Sequence, residues 1–186
     1  GCNKLKATAV IQVRMGSTRF PGKIMMKLDD KFTVLDYVIR QLGHSKLVEN
    51  IIIATTNLEQ DDIIVQYAKD NDLAYFRGEV LDVLDRYYQC AKKFSLDVIV
   101  RMTSDAPFLD PTVVDEAISK FQETGCDFVS NNIIRTYPIG IDTEVFSMEA
   151  LEKTWNEAEL PSEREHVTPF IKKNREIFKL YNLENK

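Results

Sequence analysis

The stretch Ala7-Thr8-Ala9-Val10-Ile11-Gln12-Val13, running into Arg14-Met15-Gly16-Ser17-Thr18-Arg19-Phe20-Pro21-Gly22-Lys23, decides how the rest of the chain is read. Its first seven residues are mostly apolar or β-branched, the composition of a strand buried in a sheet. The segment that leaves this strand holds two arginines, a lysine, two hydroxyls and two glycines. Glycine lets backbone N–H groups approach phosphate oxygens closely, and the hydroxyls add donors. Arg14, Arg19 and Lys23 bring the charge that neutralises a polyphosphate, arginine with two bonds at once. The segment is not a GxxxxGK[ST] loop, because Gly16 and Lys23 are wrongly spaced and no Ser or Thr follows the lysine. A solvated basic turn is the competing reading of the same residues.

Outward from this point, strand and helix patterns alternate. A helix is expected from Thr33, which can cap it, to Gly43, with Val34, Leu35, Val38, Ile39 and Leu42 on one stripe. Ile51 to Thr55 reads as a second buried strand, Asp61 to Asp70 as a helix, and Leu73 to Phe76 as a third strand. The next helix spans about Asp82 to Phe94, and its Tyr87, Tyr88, Ala91 and Phe94 stripe is core packing. Asp97 to Met102 follows as a fourth strand. Pro111 opens a helix that ends near Gly125. Cys126 to Ser130, Asp142 to Phe146 and Ile177 to Leu183 have strand character. Helices are expected at Met148 to Glu157 and around Glu163 to Lys173, the latter interrupted at Pro169. The fold class is therefore α/β, with a mostly parallel (mixed) sheet sandwiched by helices. Ligands on such sheets bind beyond the carboxyl ends of the strands.

The chain has 186 residues, enough for one core; 44% are hydrophobic and 28% charged. The net charge of −5 argues against a general nucleic-acid binder. It leaves room for a small phosphorylated ligand, which needs only the local cluster of Lys4, Lys6, Arg14, Arg19, Lys23 and Lys27. The start, Gly1-Cys2-Asn3-Lys4, has no apolar leader and no run is long enough to span a membrane, so a cytoplasmic protein is expected. Three cysteines without close spacing do not suggest a disulfide framework or zinc knuckle. With only two histidines, a metal would be held by carboxylates, which favours Mg2+ or Mn2+.

A second loop, Arg101-Met102-Thr103-Ser104-Asp105-Ala106-Pro107, places Asp105 just past a strand end, where a carboxylate can hold a magnesium ion that bridges phosphate oxygens. The alternative is a turn residue before proline. Asp110, ahead of Pro111, reads as a helix cap. Asp142 and Glu144 alternate and would share one strand face, in a sugar pocket or at a solvent-facing edge. Arg164 and His166 are candidates for acceptor contact, although a lone histidine is more often a structural hydrogen-bonder.

Together these segments resemble the sugar-activating cytidylyltransferases, and most closely the branch associated with spore-coat polysaccharide synthesis. The resemblance rests on RMGSTR-x-PGK at Arg14 to Lys23, ATT at Ala54 to Thr56, and FRG-x-x-x-DVLDRYYQ at Phe76 to Gln89. It continues with VR-x-T-x-D-x-P at Val100 to Pro107, P-x-G-x-D-x-E-VFS at Pro138 to Ser147, and EREHVTPFI at Glu163 to Ile171. It implies a nucleotide-diphospho-sugar transferase (Rossmann-like) fold, CTP as donor, and transfer of CMP to a sugar or sugar acid with release of pyrophosphate. It assigns catalysis to Arg14, Lys23 and Asp105, with Asp105 as metal ligand. It assigns nucleotide contacts to Gln12, Arg14, Met15, Gly16, Ser17, Arg19, Lys23, Thr55, Arg77, Gly78, Asp82 and Val83. Asp142, Glu144, Arg164 and His166 are expected around the sugar, and a homodimer is expected from the family.

Two departures stand out. Ser104-Asp105-Ala106 replaces the more usual Gly-Asp-Cys. The relatives also continue into a V-D-T-P-E-D-like segment whose aspartate supplies a second metal ligand, so residues 1–186 are expected to form a single domain lacking that C-terminal segment. The rival functions are a glycosyltransferase using a ready-made nucleotide sugar, and a nucleotide-binding remnant without catalysis.

Overall fold

A computed structural model describes residues 5–16, 25, 32–103, 109–134, 136 and 142–185. The buried stretch that opens the chain becomes β1 (Ala7–Gln12), and it is a central strand. It pairs in parallel with β2 (Val48–Thr56) on one side and with β4 (Val98–Thr103) on the other. Beyond β2 lies β3 (Ala74–Gly78), also parallel. Beyond β4 the sheet becomes mixed: β6 (Glu144–Ser147) runs antiparallel between β4 and β5 (Phe128–Ser130), and β7 (Leu180–Asn182) closes the edge. The order is β3-β2-β1-β4-β6-β5-β7.

Strand alternation sorts the core into two layers. Ala9 and Ile11 of β1, Ile53 of β2 and Val98, Val100 and Met102 of β4 face one side. They pack there against α1 (Val34–Gly43), α2 (Asp62–Asp70) and α4 (Pro111–Thr124). Val10, Ile52, Ala54, Ile99, Phe128 and Phe146 face the other, under α3 (Val83–Lys93) and α5 (Met148–Glu157). The short helices α6 (Pro161–His166) and α7 (Pro169–Lys173) add Val167 and Ile171 to the second layer. Among the described residues no helix is long and apolar enough to cross a membrane.

The helix ends follow local chemistry. Thr33 caps α1 in a reciprocal box: its hydroxyl accepts from Asp36 N–H at 3.1 Å, and Asp36 Oδ2 accepts from Thr33 N–H at 2.8 Å. Gly125 ends α4 at φ 65°, the left-handed conformation that glycine tolerates. Asp110 is the cap of α4, accepting from Thr112 N–H at 2.9 Å. Asp110→Ala is expected to cost about 1 kcal/mol in urea denaturation and to leave ligand affinity unchanged.

Several sequence-expected boundaries move. β6 begins at Glu144, so Asp142 precedes the strand and the two residues do not alternate along it. The expected helix at 163–173 is two helices, broken at Val167 before Pro169 is reached. Val167 sits at φ 70°, ψ −55°, and Thr168 N–H donates to His166 O at 2.8 Å across it. That is a classic γ-turn, a strained conformation for a β-branched residue.

Candidate active site

The chain order places the crevice. β1, β2 and β3 are laid down outward in one direction, with α1 and α2 on one face. The connection through α3 then crosses the other face and returns to β4, on the far side of β1. The reversal lies between β1 and β4, the position at which open α/β sheets bind ligands beyond their strand ends. Gln12 and Thr103, the last residues of these strands, are register partners. The basic segment from Arg14 and the segment carrying Asp105 therefore leave the sheet from adjacent strand ends.

At the root of the basic segment, Arg14 is half-buried and its Nη1 donates to Gly16 O at 2.7 Å. Met15 N–H donates to Asp61 Oδ1 at 2.7 Å. Ser17, Arg19, Lys23 and Asp105 lie outside the described residues. Gln12 Oε1 and Thr55 Oγ1 are buried without a hydrogen bond to any described residue, which leaves two acceptors near the strand ends open. Alternation puts them on opposite faces of the sheet.

Arg77, expected beside the nucleotide, braces the β2–α2 connection. Its Nε donates to Thr56 O and its Nη2 to Leu58 O, both at 2.7 Å, and Nη1 pairs with Asp62 Oδ1 at 2.8 Å. Gly78 is held where a side chain does not fit: a Cβ there would lie 2.9 Å from Phe76 and 3.0 Å from Arg86 Cγ. Asp82 caps α3 through Asp85 N–H at 2.9 Å, so this helix start is partly satisfied by its own chain. Val83, next in line, packs in the core.

Like Arg77, three further charged residues expected to face ligands are held by protein partners. Arg164 holds Asp82 in a fork, Nε to Oδ1 at 3.1 Å and Nη2 to Oδ2 at 3.0 Å, and donates through Nη1 to Trp155 O at 2.7 Å. It ties α6 to the start of α3. Asp82 is the second of the three. The third, Glu144, is 3% exposed and sits directly across from Arg101 in the β4–β6 register. Arg101 Nη1 lies 2.6 Å from its Oε1, while Lys172 Nζ at 3.0 Å and Thr168 Oγ1 at 2.7 Å reach Oε2. Burial pushes the Glu144 carboxyl upward, but the two cations and these hydrogen bonds outweigh it and hold it down to about 2. Asp142 is exposed, and the His166 side chain is 62% exposed just before the γ-turn.

Sequence reading did not single out Asp61, Arg86, Arg101 or Lys172. Asp61 is fully buried and also accepts from the Thr56 hydroxyl. Arg86, 1% exposed, donates through Nε to Glu79 O at 2.9 Å and through Nη2 to Val80 O at 3.0 Å, shaping the β3–α3 connection. The Tyr87 hydroxyl donates to Val10 O at 3.0 Å, so this core residue also fixes α3 against β1. Trp155 stacks on Tyr88 at 4.1 Å between ring centroids and donates to Asp85 Oδ1 at 2.8 Å. Among the described residues no group of three or more His, Cys, Asp or Glu side chains could hold a metal.

The chain is similar to proteins that share this architecture. An uncharacterised protein of Methanocaldococcus jannaschii is 39% identical over 181 residues, covering 97% of this chain and 72% of that one. The spore coat polysaccharide biosynthesis protein SpsF of Bacillus subtilis is 32% identical over 180 residues, covering 94% and 73%. A cytidylyltransferase structure from Leptospira borgpetersenii superposes with a TM-score of 0.91 at 37% identity, covering 98% of this chain and 77% of that one. Residues 8–186 match the cytidylyltransferase family pattern from the first strand onward, and the chain belongs to the cytidylyltransferase family, CTP-dependent nucleotidyltransferases by reaction class.

Proposed function

We propose that the protein transfers CMP from CTP to a sugar or sugar acid, releasing pyrophosphate, in the cytoplasm and in the service of surface polysaccharide synthesis. The observation that carries this reading is the Gln12–Thr103 register, which sends the basic segment and the Asp105 segment out of neighbouring strand ends. A sugar hydroxyl attacks the α-phosphorus in line. A bond forms between the hydroxyl oxygen and phosphorus, the bond to the bridging oxygen breaks, pyrophosphate leaves, and the hydroxyl proton passes to water or a neighbouring base. Arg14 and Lys23 neutralise the triphosphate, with Gly16, Ser17 and Arg19 beside them, and the site contributes chiefly positioning and charge stabilisation.

Asp105 is the proposed ligand for Mg2+. One carboxylate suits that ion, which is commonly held by one or two carboxylates together with substrate phosphates, and there it would offset charge on the departing pyrophosphate. Gln12, with its open acceptor, and the Arg77–Gly78 end of β3, before Asp82 and Val83, would border the base and ribose. Asp142 and His166 are proposed to meet the acceptor directly. Glu144 and Arg164, given their protein partners, would act by fixing the wall behind them. A homodimer belongs to the same proposal, as it does for the family resemblance.

The test is pyrophosphate release from CTP with a panel of aldoses and 2-keto sugar acids, with UTP and UDP-sugars as controls. Turnover with CTP and one acceptor class is the expected result. CTP binding without turnover across the panel would overturn catalysis, and preference for a UDP-sugar would overturn the donor.

A further inference from the structure

Asp61 is a carboxylate with no exposure at all, at the end of the 3-10 turn Glu59–Asp61 that follows β2. A buried carboxylate is costly unless its oxygens are satisfied. Here one oxygen accepts from Met15 N–H at 2.7 Å, across 46 residues of sequence, and the other from the Thr56 hydroxyl. Its neighbour Gln60 reaches the same turn: a Cβ on Gly16 would lie 2.6 Å from Gln60 Nε2. From inside the loop, Arg14 Nη1 closes on Gly16 O at 2.7 Å. The β2–α2 connection that presents Asp61 is itself braced by the three Arg77 contacts to Thr56, Leu58 and Asp62. Burial above all, and then the like charge of Arg14, depress the Arg86 guanidinium, while Tyr87 and Asp61 counter that depression. Arg86, which shapes the β3–α3 connection, thus lies within electrostatic reach of both Asp61 and Arg14.

We infer that Asp61 is the positioning residue at the root of the triphosphate loop: it pins Met15 from below, with Gln60 against Gly16, so that the Arg14 guanidinium is presented to the β- and γ-phosphates without searching for that geometry. This rests on the CTP reading above and deepens it. A root pinned at Arg14–Gly16 has already lost the freedom that ligand binding would otherwise have to remove there, so Asp61 strengthens phosphate binding without touching phosphate.

The test compares affinities for CTP and CMP by calorimetry, because a general loss of structure weakens both while a slack loop weakens only the grip on the distal phosphates. Wild-type protein should prefer CTP. Asp61→Ala should lose roughly 10- to 100-fold of that preference, the scale of one hydrogen bond to a charged acceptor. CMP affinity should stay within about twofold. Asp61→Asn, which keeps a carbonyl oxygen for Met15 N–H, should recover most of the preference. If Asp61→Ala does not fold, Asp61→Ser replaces it, polar but too short to reach Met15, with the same expectation. Preference for CTP unchanged in the Ala or Ser protein would overturn the inference alone, as would an Asn protein as impaired as either. Equal affinity of the wild type for CTP and CMP would overturn the triphosphate reading and this inference with it.

Discussion

An Asp105→Ala protein is expected to keep its melting temperature, to retain CTP binding, and to lose turnover by roughly a hundred- to a thousandfold. The reasoning is differential. In phosphoryl and nucleotidyl transfer the protein does little covalent chemistry, so groups that meet charge developing on the leaving oxygen act mainly on the transition state. Loss of such a group lowers kcat and kcat/KM together and leaves ground-state binding largely intact. Asp105 stands two residues past the end of β4, a strand whose last residue is in register with Gln12. Rates measured against magnesium concentration separate this from simple weakening: the variant should show a small ceiling rate that excess Mg2+ does not restore. Undiminished turnover would remove Asp105 from the mechanism. Equal losses in CTP affinity and in rate would make it a binding residue instead. Asp110→Ala, five residues on, serves as the control, since that carboxylate is occupied with capping α4.

What the sequence made legible is what local chemistry decides. Thr33 and Gly43 bound the first helix because a hydroxyl followed by an apolar stripe and then glycine has few other uses, and the structure has Val34–Gly43 under a Thr33 cap. Met148–Glu157 comes out at the expected residues, and Pro111 begins α4. The mixed character of the sheet is also as expected, yet the position of β6 between β4 and β5 is a choice of partner that no strand's composition encodes. The site divides the same way. Motifs locate the loops, but a formal charge in a motif carries no label saying whether another charge in the chain already meets it. Asp82 and Arg164 are 82 residues apart and satisfy each other. Glu144 meets Arg101 and Lys172 from opposite sides in sequence. Asp61 was hidden for a related reason. A carboxylate at a helix start reads as a cap, whereas this one makes no cap bond and spends its oxygens on Met15 and Thr56.

Glu144→Gln is expected to be the most destabilising single change at the site that leaves side-chain size intact. The carboxylate is buried with Arg101 Nη1 at 2.6 Å and Lys172 Nζ at 3.0 Å, and neutralising it strands two cations against an amide. Removing one partner of a buried ion pair typically costs about 3–5 kcal/mol. For a chain of this size that corresponds to a fall in Tm of roughly 6–20 °C. The pH dependence identifies the cause. In the folded protein this carboxyl is held at about 2, below its ordinary value of 4.5, so between those values the unfolded chain binds the extra proton. The stabilisation is therefore complete above about pH 4.5 and drains away as the pH falls toward 2. Urea denaturation at pH 7 and again near the bottom of the accessible acid range should show the gap between wild type and Glu144→Gln closing. A gap that stays constant with pH would mean that shape or hydrogen bonding, and not charge, holds this corner. The consequence for the site is spatial. The Glu144 carboxylate ties β6 to β4 through Arg101 and to α7 through Thr168 and Lys172, immediately after the γ-turn at Val167. Breaking it should let the strained turn relax and shift the exposed His166 beside it, together with the loss of stability.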